Sequence, residues 1–198
     1  GGLAQAWQAG ELRGSYTGID FSAALLEEAN AGMAGIAPRD GINFSFHNVD
    51  LAKTDWPTAL ERKVYDGVLS FAVLHHIPAA EKRALLTRQV VELLKPGGLF
   101  ILSVWQFQHS PKLLARVQPW ELAGINREDV EEGDTLLDWR HQSDEQSKEP
   151  GLRYVHLFSR DELAALARDS GFEIIDEFES DGKGGRLGLY QVWQKITS

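Results

Sequence analysis

Three groups of residues in this sequence carry usable chemistry: strand-ending carboxylates, a serine-to-histidine run, and late cations. Asp20 closes the short segment Gly14-Ser15-Tyr16-Thr17-Gly18-Ile19. A carboxylate there can accept both hydroxyls of a ribose, as in nucleotide pockets at the ends of parallel strands. An aspartate that merely caps the next helix fits the same spot. Asp50 follows the strand Ile42 to Asn48, where such a pocket needs an acceptor for the adenine amino group and where an Asx-turn also places aspartate. Ser70-Phe71-Ala72 ends a third apolar run and leads into His75-His76. Adjacent histidines point different ways, and no His-x-x-x-His or His/Asp/Glu cluster joins them, so no metal is expected. One ring facing a pocket and one packed or bonded to backbone is the expectation. Gly1-Gly2 reads as the tail of a Gly-x-Gly-x-Gly loop, which lets backbone approach a cofactor, or as a tag remnant.

The elements that must hold these residues follow from periodicity. Tyr65 to Phe71 is an apolar run of strand length, followed by a helix of mixed charge. Leu94-Lys95-Pro96-Gly97-Gly98 then turns the chain into a second apolar run, Leu99 to Trp105. Strand, helix, turn and strand make a βαβ crossover, and open α/β sheets bind ligands beyond the carboxyl ends of such strands. Upstream, the pattern predicts a helix over Leu3 to Leu12, a strand ending at Asp20, a helix from Ala23 to Gly32 capped by Ser22, and a strand from Ile42 to Asn48. Residues 53–62 read as a connector. Residues from about 107 to 152 carry Pro111, Pro119 and Pro150 and two acidic runs. They read as an insertion in a single domain spanning 1–198, partly helical near Leu113 to Leu122 and mobile toward Pro150. Ser159 with Glu162 forms a capping box for a helix ending at Gly171. Phe172 to Glu179 and Leu187 to Lys195 are joined by the Gly-rich loop 180–186 as an antiparallel hairpin.

Composition narrows the function classes. The chain has 198 residues, 43% hydrophobic and 25% charged, which suits one core of ordinary size. Its net charge of -9 argues against gripping nucleic acid through its overall field. The absence of cysteine excludes disulfides, thiol catalysis and thiolate zinc sites. No apolar run is long enough to span a membrane and no secretory signal appears, so a cytoplasmic location is expected. The chain opens without an initiator Met, and a natural N-terminal segment is expected upstream of Gly1.

Asp20, Asp50, Ser70-Phe71-Ala72-Val73-Leu74-His75-His76 and Leu94-Lys95-Pro96-Gly97-Gly98, in this order, resemble a class I S-adenosylmethionine-dependent methyltransferase. The closer resemblance is to the tRNA wobble-uridine carboxymethyl methyltransferases. It rests on Ala72 to His76, Leu94 to Gly98, Val104-Trp105, Gly133-Asp134 with Trp139, and Arg153-Tyr154-Val155-His156-Leu157-Phe158-Ser159-Arg160-Asp161-Glu162-Leu163. The resemblance implies a Rossmann-like α/β fold, a mostly parallel sheet with an antiparallel C-terminal hairpin. It implies methyl transfer from S-adenosylmethionine to a carboxylate, with Gly2, Asp20, Phe21, Ser22, Asn48, Asp50, Leu51, Ser70, Phe71 and Ala72 holding the cofactor. Arg153 and His156 become candidates for holding the acceptor carboxylate, with Arg186 as a third cation. His75, Tyr154 and Trp139 become candidates for the acceptor wall. A tRNA or a small-molecule carboxylate is the implied acceptor, and a small activator protein the implied partner. A small-molecule methyltransferase and a non-catalytic adenosyl-ligand or protein-binding module are the alternatives.

Overall fold

The computed structural model describes residues 14–34, 42–61, 64–139 and 151–197, with side chains omitted at Ala34, Ile42 and Trp139. The helix expected over Leu3 to Leu12 and the mobility expected toward Pro150 both fall outside the described residues. The chain divides into two compact units, Gly1–Glu61 and Arg62–Ser198.

In the first unit, β1 (Gly14–Asp20) pairs in parallel with β2 (Ile42–Asn48), from Gly14 opposite Ile42 to Asp20 opposite Asn48. Tyr16 packs its ring against Phe44 and Phe46, both 6.2 Å away between centroids. Helix α1 (Ala23–Ala34) joins the two strands, and the Ser22 hydroxyl accepts from Leu25 N–H as its cap. Register and loop lengths thereby bring Asp20 and Asn48 to the same end of the pair.

The second unit is built on a four-stranded sheet in the order β3 (Tyr65–Phe71), β4 (Leu94–Trp105), β9 (Gly188–Lys195), β8 (Phe172–Ser180). β3 and β4 are parallel, while β9 runs antiparallel to both β4 and β8. Three strands therefore point one way, and the last strand of the chain is inserted between β4 and β8. One face of the sheet carries Phe100, Leu102, Val104 and Trp193, all fully buried. Phe100 sits edge-on to Trp193 at 5.5 Å, and Phe172 tilts against both rings. Each such aromatic or aliphatic side chain contributes about 1.5–3 kcal/mol by leaving water.

Helix α2 (Ala80–Leu93) buries Arg83, Leu86, Thr87, Val90 and Leu93, the stripe expected of a 3.6-residue period. It packs against α4 (Arg160–Asp169), and the Thr87 and Ser170 hydroxyls bond at 2.7 Å between them. Ser159 caps α4 by accepting from Glu162 N–H, as the sequence pattern predicts. The Glu162 side chain, however, reaches His156 instead of returning to the cap. Gly171 follows α4 at φ +89°, a left-handed turn open to glycine at no steric cost. A Cβ there would meet only Val91 at 3.9 Å, so Gly171→Ala tests backbone strain alone. It is expected to cost about 1–2 kcal/mol in urea unfolding; a neutral result would show that the turn relaxes.

The stretch read as a partly helical insertion is helical at Pro111–Leu114 and, as a 3-10 turn, at Trp120–Ala123, and it also contributes to a second sheet. A four-residue helix α3 (Pro111–Leu114) precedes β5 (Val117–Gln118), which pairs antiparallel with β6 (Asp134–Trp139), and β6 with β7 (Gly151–His156). Its core is Phe107, Leu137 and Val155, with Trp105, Leu113 and Leu157 packed against them. Proline and acidic runs hid β6, a strand paired between residues far apart in sequence. Among the described residues, no helix is long and apolar enough to cross a membrane.

Candidate functional site

Asp20 ends β1 half-buried, and its Oδ1 accepts from Ser22 N–H at 2.7 Å. Asn48, directly across the rung, donates from its amide to the carbonyls of Asp20 and Phe21, at 3.4 and 2.9 Å. That pins the backbone that carries the acid. Phe21 beside it is 79% exposed, a bare ring next to a carboxylate. Asp50 is exposed and forms the Asx-turn foreseen, its Oδ1 accepting from Ala52 N–H, with Leu51 half-buried between. The first unit thus presents two carboxylate acceptors and an uncovered aromatic ring at adjacent strand ends, groups that fit a nucleoside's hydroxyls, amino group and base.

In the second unit, Ser70 and Phe71 end β3, and Phe71 is about half exposed, 6.1 Å from the ring of Tyr190. Ala72 leaves the strand at φ +56°, uncommon for a residue with a Cβ. Its N–H is shared between the carbonyl and hydroxyl of Ser103, both at 3.1 Å. A strained residue fixed this way at a strand end is the kind of feature that clusters at binding sites.

The following 3-10 turn holds the histidine pair. His75 was expected on the acceptor wall, yet it has no exposed surface. Its ring stacks on Trp105 at 5.1 Å, and its Nδ1 accepts from Trp105 N–H. Its Nε2–H is buried without a hydrogen-bond partner among the described residues. Burial first, then the charges of His76, Arg153 and His156, push it down to about 2, so the ring is neutral. His76 is half-buried and donates from Nδ1 to the Tyr154 carbonyl at 2.9 Å. Burial also lowers its basicity, more than that bond raises it.

Trp105, which the sequence reading left as a strand-closing residue, is the hub of this corner. His75 stacks on it, His76 meets it edge-on at 5.7 Å, and the Arg153 guanidinium lies 6.0 Å from the ring centroid. Burial holds Arg153 below its ordinary value. With both histidines favouring neutrality, Arg153 supplies the corner's positive charge.

The other late residues are placed differently. Tyr154 and His156 alternate with Arg153 along β7 and so leave it on the opposite face. Tyr154 Oη donates to Asp134 Oδ1 at 2.6 Å, and burial together with that carboxylate pushes its hydroxyl well up. His156 is 2% exposed, with Nδ1 2.7 Å from Asp134 and Nε2 2.8 Å from Glu162. Both nitrogens are committed within the protein. Arg186 is exposed on the β8–β9 loop, paired with Glu179 at 2.9 Å. Gly2 and the Trp139 side chain lie outside the described residues. Arg83 was missed as well, although its signal was present: a cation in register with Leu86, Val90 and Leu93 on the buried stripe of a helix.

The profile of the methyltransferase domain family matches residues 3–177. A protein of Encephalitozoon cuniculi named as a methyltransferase is 30% identical over 161 residues, covering 80% of this chain and 62% of that protein. The chain therefore spans about three fifths of that relative's length. The tRNA (carboxymethyluridine(34)-5-O)-methyltransferase of Macaca fascicularis is 40% identical over 43 residues, 22% of this chain and 6% of that protein. Among solved structures, a SAM-dependent methyltransferase of Methanosarcina mazei superposes with a TM-score of 0.63 at 22% identity, covering 93% of this chain and 83% of the other.

Proposed function

Because the chain belongs to the methyltransferase domain family, we propose that it methylates a carboxylate, with S-adenosylmethionine as donor and a carboxymethyl-uridine of tRNA as acceptor. The observation that carries the acceptor class is Arg153, a half-buried cation over the Trp105 ring that two histidines also contact, both of them kept neutral by burial. The short match to a carboxymethyluridine methyltransferase supports the nucleoside.

The donor supplies an electrophilic methyl group on a sulfonium. Asp20 would hold the ribose hydroxyls and Asp50 the adenine amino group, with Phe21, Ser22, Asn48 and Leu51 shaping that end. Arg153 would fix the acceptor carboxylate by charge-assisted hydrogen bonds and orient one oxygen for in-line attack. A new O–CH3 bond forms as the S–CH3 bond breaks, and the bonding electrons return to sulfur. A carboxylate with a pKa near 4 is already ionised at neutral pH, so no side chain need remove a proton. His75, buried against Trp105, and Tyr154, on the face of β7 opposite Arg153, then serve as props, and Arg186 as a peripheral cation.

A small-molecule carboxylate is the second reading, favoured by the net charge of -9, which repels a polyanion. On the tRNA reading a small activator protein would supply the missing positive surface.

The test is methyl transfer from labelled donor to tRNA bearing carboxymethyl-uridine, to the free nucleoside, and to simple carboxylic acids, with the ester identified by mass. Arg153→Met should lower kcat/KM about 10- to 100-fold, the worth of one charge-assisted bond of about 1.5–3 kcal/mol. An ester formed equally well by that variant would remove Arg153 from the acceptor's recognition. Methylation at a ring or amino nitrogen instead would overturn the carboxylate class.

A further inference from the structure

The face of β7 opposite Arg153 carries a closed network of charges. Arg83 on α2 is 2% exposed and donates to Glu131 at 2.6 Å, to the Tyr154 hydroxyl at 3.3 Å and to the Ile77 carbonyl at 3.3 Å. It also lies 3.6 Å from Glu162 on α4, and its guanidinium stands 5.5 Å over Phe158. The second oxygen of Glu131 accepts from Ala80 N–H at 2.7 Å, at the start of α2. Asp134 takes Tyr154 and His156 on one oxygen and Glu131 N–H on the other. Gly133, at φ +89°, lets the turn close on the histidine, since a Cβ there would lie 3.1 Å from the His156 ring and 2.9 Å from the Leu157 carbonyl. Among the described residues, Glu131, Asp134 and His156 stand close enough to share a cation. The Arg83 guanidinium already meets that charge from inside the protein.

A histidine with a carboxylate on each ring nitrogen donates twice, which only the imidazolium can do. We infer that His156 is a positioning residue whose imidazolium ties the β6 and α4 carboxylates together and so holds β7 with Arg153 over Trp105. The link runs through Tyr154, which adjoins Arg153 in the strand: its carbonyl accepts from His76, and its hydroxyl shares Asp134 with His156. Tyr154, His156, Phe158 and Glu162, the spaced residues of the late motif, all belong to this network. Within β7 the motif thereby divides by strand parity, Arg153 toward the acceptor and Tyr154 and His156 toward the lock.

The groups facing His156 are Asp134 from β6, Glu131 from the turn before it, Glu162 from α4, Arg83 from α2, Tyr154 from its own strand and His75 from the turn after β3. Burial would lower the basicity of the ring, and the bonds from Glu162 and Asp134 outweigh it, leaving it raised. A cavity of about 630 Å³, lined in part by Arg83, Glu131, His156 and Glu162, opens onto the network.

The inference rests on the reading of Arg153 as the acceptor's counter-charge, so its test has an arm free of turnover. Nitrogen NMR of the folded protein should show both His156 ring nitrogens protonated at about pH 6, with the ring titrating above its ordinary value. A ring already neutral at that pH would overturn the lock whatever the acceptor proves to be. In turnover, His156→Gln and Glu162→Gln should each reduce kcat/KM for the acceptor about tenfold. Binding of S-adenosylhomocysteine should stay within about twofold. In an Arg153→Met background, His156→Gln should add little, because the residue acts through Arg153. Additive losses would mean that His156 meets the acceptor itself, and would overturn the positioning role. If Arg153→Met leaves turnover unchanged, the acceptor reading fails while the NMR arm still decides the lock.

Discussion

Asp20→Ala is expected to weaken S-adenosylhomocysteine binding by at least about 100-fold in calorimetric titration. Two hydroxyl-to-carboxylate bonds at about 1.5–3 kcal/mol each give a loss of about 3–6 kcal/mol, and each 1.4 kcal/mol is tenfold. The substitution also removes the acceptor for Ser22 N–H, so a lost cap must be separated from a lost ligand contact. Asp20→Asn does this: it keeps an oxygen for Ser22 while discarding the charge. If the carboxylate binds the ribose, Asn should show an intermediate loss of affinity with the alanine variant's helix content unchanged by circular dichroism. Equal affinity in all three proteins would remove Asp20 from the donor site and return it to a helix cap. Its neighbour Phe21, 79% exposed, would then be an unexplained surface ring.

Arg83→Leu is expected to lower the unfolding free energy by about 3 kcal/mol, the lower end of the range for breaking a buried ion pair. The lower end applies because Glu131 and Glu162 are each 36% exposed and can recover water once the guanidinium is gone. In a chain of this size the loss corresponds to a fall in Tm of about 6–12 °C. A loss under about 1 kcal/mol would mean that β6 and β7 are held by their Phe107, Leu137 and Val155 core alone. The pH profile supplies a second check. Burial would raise Glu131 and Asp134, but their bonds from Ala80 N–H and Arg83, and from Tyr154 and His156, leave both lowered. Their contribution is present above the ordinary carboxylate value near 4 and is lost as pH falls through the depressed values. His156 is raised, so its contribution is complete below about 6.5 and is lost as pH climbs through the elevated value. His75 and His76 are lowered, so their contribution is present above about 6.5 and is lost as pH falls below it. Wild-type stability should therefore be greatest close to about pH 6.5–7 and decline on both sides. His156→Gln should flatten the alkaline decline.

Much of this protein was determined by its sequence alone. Strands β1, β2 and β3 begin and end where the apolar runs do, and Ser22 and Ser159 cap the helices they precede. These signals are local, set by side-chain period and by hydrogen bonds within three or four residues. The ends of β1 and β2, and with them Asp20 and Asp50, were legible for the same reason. The insertion of β9 between β4 and β8 was legible only as a hairpin, because pairing order is a property of the assembled sheet. The second sheet escaped because β6 gains its stability from β5 and β7, not from its own propensity. The late motif showed its residues but not their roles. Arg153 and His156 are cations three apart and read as one pair, yet strand parity sends them to opposite faces of β7. Which face meets Trp105 and which meets Arg83 depends on contacts with residues 48 and 73 positions earlier in the chain. Long-range packing of that kind leaves no local period in the sequence, so only the tertiary structure could separate the proposed acceptor cation from the lock.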